Sequence, residues 1–172
     1  MHLLALSGSI RAASLNTGAL RALQKLTPEG VAVALYEGIG ALPHFNYDVE
    51  MSALPGSVVE LRRQVAAADG VVMACPEYAH GIPGSFKNAL DWLVGMPDFP
   101  GKPVMLVNTS PRASHAQAAL REVLATMSAR LVPEADVAVE LRNRSADAPE
   151  IAQALRTGLA AFVKACGSEG LS

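Results

Sequence analysis

The chain has 172 residues, a net charge of −2, 51% hydrophobic residues and only 17% charged residues. This length predicts a single domain over residues 1–172, with a core large enough to need neither disulfides nor a structural metal. The weak negative charge excludes a broad basic field for nucleic acid or anionic lipid. No apolar run approaches the roughly 20 residues that span a bilayer, so we expect no membrane partner.

Short apolar runs alternate along the chain with segments of helical periodicity. The runs at residues 2–6, 31–36, 70–75, 103–108 and 136–139 predict five strands. Five helices are predicted between and after them. Their clearest apolar faces comprise Val58, Leu61, Val65 and Ala68; Phe86, Leu90 and Leu93; Leu120, Val123, Leu124 and Met127; and Ile151, Leu155, Leu159 and Phe162. This alternation predicts an α/β fold in which helices cover both faces of a five-stranded parallel sheet.

The site is predicted beyond the carboxyl ends of the strands, where open parallel sheets bind their ligands. The stretches that follow strands one, three and four are SGSIRAASLN, PEYAHGIPGSFKNALDW and NTSPRASHAQ. They are also the most unusual stretches of the sequence. We therefore expect these three loops to build the functional site.

The first of these loops, residues 7–16, favours a phosphate monoester. Ser9 and Ser14 offer hydroxyl donors, Arg11 a charged fork and Asn16 an amide, all beside the start of a helix. The phosphate motifs GxxxxGK[ST] and GxGxxG are both absent. For any single residue an alternative stays open, since Ser14 or Asn16 can simply cap the helix.

The second loop, residues 76–84, contains two prolines and two glycines, which predict a rigid turn. In it, Tyr78 can form a wall for a flat aromatic ring, or can be an ordinary surface tyrosine. His80 is a candidate for catalysis, although most loop histidines have no such role. Glu77 can bind a ligand or fix the loop through backbone amides.

Cys75 and Cys166 lie far apart, form no CxxC pair and sit in apolar patterns, so free thiols are predicted. No metal-ligand motif is present, and we name no metal site. The sequence begins on a strand-like run with no signal peptide before it. These features together predict a cytoplasmic location.

The segments GSIRAASLN and PEYAHGIPGSFKNALDWL resemble the two signature segments of the NAD(P)H-dependent FMN reductase family, which includes chromate, quinone and azo-dye reductases. The stretch LPHFNYD at residues 42–48 resembles a third family segment. The resemblance implies a flavodoxin-like fold, a three-layer sandwich with strand order 2-1-3-4-5. It also implies FMN held without a covalent bond, and a homodimer or homotetramer with sites near the subunit contacts.

The same resemblance implies which residues bind the cofactor. At the phosphate it points to Ser9, Arg11, Ser14, Leu15 and Asn16. Along the isoalloxazine ring it points to Pro76, Glu77, Tyr78 and Ala79. The loop after strand four touches the pyrimidine edge in the family, and here that loop contains Thr109, Ser110, Pro111 and Arg112. The chain departs from the family at Ala79, where many relatives have Asn, and in the loop at residues 110–115, which has no glycine.

The implied activity is FMN-dependent oxidoreduction, in which hydride passes from NADPH or NADH through FMN to a flavin, quinone or similar small acceptor. Ping-pong kinetics are expected, and no catalytic residue is named because the flavin carries the chemistry. Two alternatives stay open: a flavodoxin-type electron carrier and a flavin-binding module without turnover. No acidic residue stands in a recognisable ribose-binding position, so the sequence does not choose between NADPH and NADH.

Overall fold

Strands and helices alternate along the chain, as the sequence predicts. A computed structural model describes residues 1–112 and 114–168. Within them the strands are β1 His2–Ser7, β2 Ala32–Tyr36, β3 Gly70–Ala74, β4 Pro103–Asn108, β5 Arg130–Leu131 and β6 Val137–Ala138. The α-helices are α1 Leu15–Lys25, α2 Tyr47–Ser52, α3 Gly56–Ala67, α4 Gly84–Val94, α5 Ser114–Thr126 and α6 Pro149–Gly167. The first four strands lie within one residue of their predicted bounds.

All strand pairs of the sheet are parallel. β1 pairs with β2 on one side and β3 on the other, β3 pairs with β4, and both β5 and β6 pair with β4. Parallel neighbours need long crossover connections, which the helices supply. The order β2-β1-β3-β4-β5, with helices on both faces, confirms the predicted flavodoxin-like fold, to which a sixth strand is added.

Alternate residues of the central strands face two separate cores. In β1, Leu4 and Leu6 pack with α3, α4 and α5, whereas Leu3 and Ala5 pack with α1 and α6. Burying a leucine contributes about 1.5–3 kcal/mol, so an all-apolar strand gains from being covered on both faces. The predicted helical faces are buried in these cores, except for Val123, which is only partly buried.

An additional short strand before the predicted fifth strand is the main correction to the predicted fold. The strand predicted at residues 136–139 is present as the shorter β6, and the chain forms the additional strand β5 and a 3-10 turn at Pro133–Ala135 before it. Pro133 has no N–H to donate to a ladder, which favours a break there. Asp136 fills the gap, because its Oδ1 accepts a hydrogen bond of 2.7 Å from the backbone N–H of Leu106 in β4. A side chain thus replaces a strand carbonyl.

Helix α2, within the segment between β2 and α3, was not predicted as a helix. Asn46 caps it, with Oδ1 accepting from the N–H of Asp48 at 2.8 Å. An ion pair between Glu50 and Arg62, both largely buried, fastens α2 to α3. Its six residues are too few for their periodicity to stand out, and these contacts stabilise it.

Candidate functional site

The loops after β1, β3 and β4 meet in one cleft of about 200 Å³ at the carboxyl edge of the sheet. This β1–β3–β4 cleft is lined by Ser9, Arg11, Ser14, Leu15, Asn16, Cys75, Pro76, Glu77, Tyr78, Asn108, Thr109 and Ser110. It brings together all the predicted cofactor residues except Ala79, Pro111 and Arg112. Sequence reasoning did not single out Cys75 or Asn108. Asn108 could have been found from the sequence, because it is a polar residue at the end of an apolar strand.

The start of α1 presents hydrogen-bond donors to this cleft. Ser14 is the N-cap residue, and its Oγ accepts from the N–H of Thr17 at 3.2 Å. The first backbone N–H groups of a helix have no hydrogen-bond partner within it. Among the described residues, those of Leu15 and Asn16 have no other backbone partner, so they are available to a ligand. Because a hydroxyl also donates, Ser14 can cap the helix and contact an anion at once.

Asn16 ties α1 to the loop after β4. Its Oδ1 accepts a hydrogen bond of 3.1 Å from the Oγ1 of Thr109, and both residues are buried. With that oxygen engaged, the amide nitrogen is the part of Asn16 that can donate to a ligand. In the same loop the N–H of Ser110 donates to Asn108 Oδ1 at 2.9 Å. The walls of the cleft are therefore held together by the polar residues that line it.

Arg11 brings an uncompensated positive charge to the cleft. The residue is exposed, and its backbone N–H donates to Ser9 Oγ at 3.5 Å. Its guanidinium forms no ion pair within residues 1–112 and 114–168. Together with the α1 N-terminus, it makes this end of the cleft suited to an anion.

Gly8 allows the first loop to lie directly against the second. Its N–H donates to the carbonyl of Ala74 at 2.8 Å. A Cβ at this position would lie 3.1 Å from both Phe86 Cδ1 and Pro76 Cδ, and 3.2 Å from Cys75 Cα. The spacing between the Arg11 end and the opposite wall of the cleft therefore depends on glycine here.

The second loop contains a tight hairpin beside the cleft. The backbones of Tyr78 and Gly81 exchange two hydrogen bonds, of 3.1 and 3.0 Å. Between them, Ala79 and His80 have φ angles of +49° and +59°, as in a type I′ turn. That turn favours Asn-Gly, so Ala79 adopts a strained conformation on the outside of the loop. Tyr78, 50% exposed, lines the cleft with its ring available for contact.

Glu77 holds the second loop against α5. Its Oε2 accepts from the N–H of Ala116 in the first turn of α5 at 3.0 Å, and its Oε1 lies 3.0 Å from His80 Nδ1. The hydrogen bond from Ala116 is the main cause that lowers the pKa of the Glu77 carboxyl, and the one with His80 adds to it. Of the two roles considered from the sequence, fixing the loop is the one these contacts support.

His80 does not line the cleft. Its side chain is 78% exposed, and its ring packs edge-on against that of His115 with the ring centroids 4.6 Å apart. Arg112 is exposed and likewise absent from the lining. Ala113, in the loop at residues 110–115 that lacks glycine, lies outside the described residues.

Within residues 1–112 and 114–168, no helix combines the length and apolar composition of a membrane-spanning segment. No group of three or more His, Cys, Asp or Glu side chains in those residues is arranged to hold a metal ion.

Comparisons with known proteins indicate the family of this chain. The family model of NADPH-dependent FMN reductase matches residues 1–143. A quinone reductase of Escherichia coli is 35% identical over 138 residues, covering 77% of this chain and 73% of that protein. An NAD(P)H-dependent FMN reductase of Pseudomonas aeruginosa is 32% identical over 153 residues, covering 86% and 82%.

Among solved structures, the flavoenzyme FerB, an NAD(P)H:(acceptor) oxidoreductase from Paracoccus denitrificans, superposes with a TM-score of 0.84. It is 30% identical, and the match covers 97% of both chains. The predicted family is confirmed, and with it the oxidoreductase class and the family's pairing of FMN with a nicotinamide co-substrate. The chain belongs to the NADPH-dependent FMN reductase family.

Proposed function

We propose that this protein is an FMN-dependent oxidoreductase that transfers hydride from NADPH or NADH to a flavin, quinone or similar small acceptor. Residues 1–172 form one FMN-binding domain in this proposal. The cofactor is held without a covalent bond, and the residues proposed to bind or position it are Ser9, Arg11, Ser14, Leu15, Asn16, Pro76, Glu77, Tyr78, Ala79 and Ser110. Ala79 contributes only indirectly, because it shapes the turn that carries Tyr78.

The observation that carries the proposal is the polarity of the β1–β3–β4 cleft. One end collects the Arg11 guanidinium, the amides of Leu15 and Asn16, and the hydroxyls of Ser9 and Ser14. The other end offers the half-exposed ring of Tyr78 beside Pro76. Such a cleft suits a ligand in which a chain joins a phosphate to a flat aromatic ring, and FMN has these parts.

FMN, when bound, supplies the acceptance and donation of hydride. The chain's own contribution is to hold and orient the cofactor. Arg11 and the two helix amides contact the phosphate, while Tyr78 packs along the ring. Glu77 acts as a positioning residue, because its bonds to Ala116 and His80 keep the loop that carries Tyr78 in one conformation.

Cys75, the one cysteine in the lining of the cleft, is not proposed as a catalytic residue. Burial, and to a lesser extent the nearby charge of Glu77, together raise the pKa of its thiol to about 12. The thiol donates a hydrogen bond of 3.3 Å to the carbonyl of Pro76. It stays protonated at neutral pH, so the cleft contains no thiolate nucleophile.

Turnover is proposed to be ping-pong. The support is chemical, since the cofactor stores both electrons between the two half-reactions and neither substrate needs the other to be present. Parallel lines in double-reciprocal plots of rate against NADH concentration, at several concentrations of benzoquinone, are expected. Intersecting lines would contradict this part of the proposal.

A homodimer or homotetramer and a cytoplasmic location belong to the same proposal. The support for assembly is a group of large, exposed apolar side chains on α2, α3 and α4: Tyr47, Met51, Val59 and Val94. The support for the location is that Cys75 is a buried free thiol. Sedimentation at several protein concentrations tests the assembly.

One experiment tests the central proposal. The purified protein is incubated with FMN, desalted, and its visible spectrum is recorded before and after anaerobic addition of NADH or NADPH. We expect a retained flavin spectrum that bleaches and recovers on addition of benzoquinone. Retained flavin that neither nucleotide bleaches would instead indicate an electron carrier or a module without turnover. Loss of all flavin on desalting would contradict tight binding.

A further inference from the structure

A second cleft lies across the first loop from the β1–β3–β4 cleft. It has a volume of about 300 Å³ and lies between α1, the end of β2 and the 3-10 turn Ile39–Ala41. We call it the β1–β2 cleft. Ser9 and Arg11 line both clefts, so the first loop is the wall between them. A ligand in the second cleft therefore lies next to the proposed phosphate end of the first.

The β1–β2 cleft carries two guanidinium groups and one carboxylate. Arg11 forms no ion pair in the described residues, and Arg21 Nη2 lies 3.0 Å from Glu37 Oε1. The side chains of Arg21 and Glu37 are 56% and 72% exposed. Surface pairs of this kind contribute little to stability, so both groups can exchange the pair for contacts with a ligand.

The remaining lining is partly apolar. Leu35 and Ile39 lie at the cleft, and Ile10 is 66% exposed at its edge. Ile10 packs over the turn, since a Cβ on Gly40 would lie 3.3 Å from Ile10 Cγ2. Apolar surface beside a few charged groups is typical of sites for a heterocycle with polar substituents.

The position of Glu37 narrows the class of ligand. It directly follows β2, and a carboxylate at the end of a strand in a parallel sheet is well placed to accept hydrogen bonds from a ribose diol. Arg21, on α1, is suited to a phosphate. A carboxylate for a sugar, an arginine for a phosphate and an apolar surface for a base are the parts of a nucleotide site.

We propose that the β1–β2 cleft binds the adenosine half of the nicotinamide co-substrate, with Arg21 contacting its phosphate and Glu37 its ribose. This inference rests on the proposed function, because it assumes that the co-substrate reduces a cofactor held in the β1–β3–β4 cleft. The shared wall formed by Ser9 and Arg11 lets one dinucleotide reach from one cleft to the other.

The first test is direct binding of ADP-ribose, which lacks the nicotinamide, to the FMN-loaded protein by isothermal titration calorimetry. Arg21→Ala is expected to weaken this binding about 10-fold or more, the usual effect of losing a hydrogen bond to a charged group. Arg63→Ala is the matched control, because Arg63 forms a similar exposed pair with Glu60 on α3, and it should bind as the wild type does. Equal affinity of Arg21→Ala and wild type would overturn the proposal.

The second test separates the two half-reactions by anaerobic stopped flow. For Arg21→Ala, the apparent Kd of NADH should rise by the same factor, whereas the limiting rate of flavin reduction and the reoxidation by benzoquinone should not change. FMN affinity should also be unchanged. A protein that does not bind FMN would refute the proposed function, whereas the ADP-ribose titration can still be performed on it.

Glu37→Gln provides a further test of how the cleft distinguishes the two nucleotides. NADPH carries a 2′-phosphate on its adenosine ribose, which the negative charge of Glu37 would repel. Removing this charge should therefore raise the ratio of kcat/KM for NADPH to that for NADH about threefold or more. An unchanged ratio would show that Glu37 does not contact this part of the co-substrate, and would overturn its assigned role.

Discussion

The first and second loops of the β1–β3–β4 cleft use their polar groups in opposite ways. In the first loop, Arg11 has no ion-pair partner in the described residues, and the amides of Leu15 and Asn16 are left for a ligand. In the second, the Glu77 carboxylate is occupied by Ala116 and His80, and Tyr78 and Gly81 bond each other. In the proposed site, we therefore expect cofactor affinity to depend mainly on the first loop, and ring orientation on the second.

The largest expected effect comes from breaking the contact between the two loops. Gly8→Ala places a Cβ 3.1 Å from Phe86 and Pro76, and overpacking of this kind costs about 1–3 kcal/mol. We expect lower stability in urea and weaker FMN binding together, because the two walls are pushed apart.

Gly18→Ala is the control for that variant. Gly18 lies in α1 with no atom within 4 Å of an added Cβ. Alanine there should raise helix stability by about 0.5–1 kcal/mol and leave FMN affinity unchanged. If Gly8→Ala behaved like Gly18→Ala, the close contact between the loops would not matter.

Ser14→Ala removes both the helix cap and a donor from the first loop. Losing an N-cap typically costs about 1 kcal/mol, and FMN binding should weaken severalfold in addition. Asn46→Ala loses the corresponding cap on α2, away from the cleft, and should affect stability only. Measuring unfolding and FMN titration for both variants separates capping from ligand binding, and equal FMN affinity of the two would remove Ser14 from the phosphate contacts.

Glu77→Gln tests the second loop. The folded-state pKa of Glu77 lies below its ordinary value of 4.5, so its stabilising effect is complete above that value and is lost as pH falls through the folded pKa. We expect the variant to melt a few degrees below wild type at pH 7, with the difference shrinking at low pH. FMN affinity should fall less than for Ser14→Ala. A difference in melting temperature that is independent of pH would contradict the role assigned to the carboxylate.

The smallest effect is expected at the strained turn. Ala79→Gly relieves the positive φ angle and should stabilise the protein by about 0.4–1 kcal/mol, with FMN affinity close to wild type. The same substitution at Ala118, exposed on α5, should have the opposite sign because glycine weakens a helix. If chemical denaturation showed that both substitutions lower the free energy of unfolding, the Ala79 turn would be unstrained.

Much of the fold was predictable because its signals are local. Four strands could be predicted from apolar runs, and the main helical faces from the spacing of apolar residues, because each signal lies within one element. The strand order followed from the family resemblance. The short strand β5 was missed, because it has only two residues and the gap between it and β6 is filled by a side chain, Asp136, that bonds a distant strand. Helix α2 depends on the contact of Glu50 with Arg62, which no local pattern encodes.

The candidate site also has parts that could be predicted from the sequence and parts that could not. The first loop combines residue types that recognise an anion wherever they occur together, so its lining was predictable. The turn at Ala79 and His80 was not, because neither residue is typical of a type I′ turn. The bond from Ala116 to Glu77 joins residues 39 positions apart. The β1–β2 cleft was missed because Glu37 and Arg21 meet only once β2 lies beside β1.

The most direct measurement of the central claim compares FMN with riboflavin, which lacks the phosphate, in wild type and in Arg11→Ala. Fluorescence titration of the four combinations isolates the contribution of the phosphate contact. We expect wild type to bind FMN at least about tenfold more tightly than riboflavin, with most of that preference lost in Arg11→Ala and riboflavin affinity little changed. The same preference in both proteins would contradict the assignment of the first loop as the phosphate site.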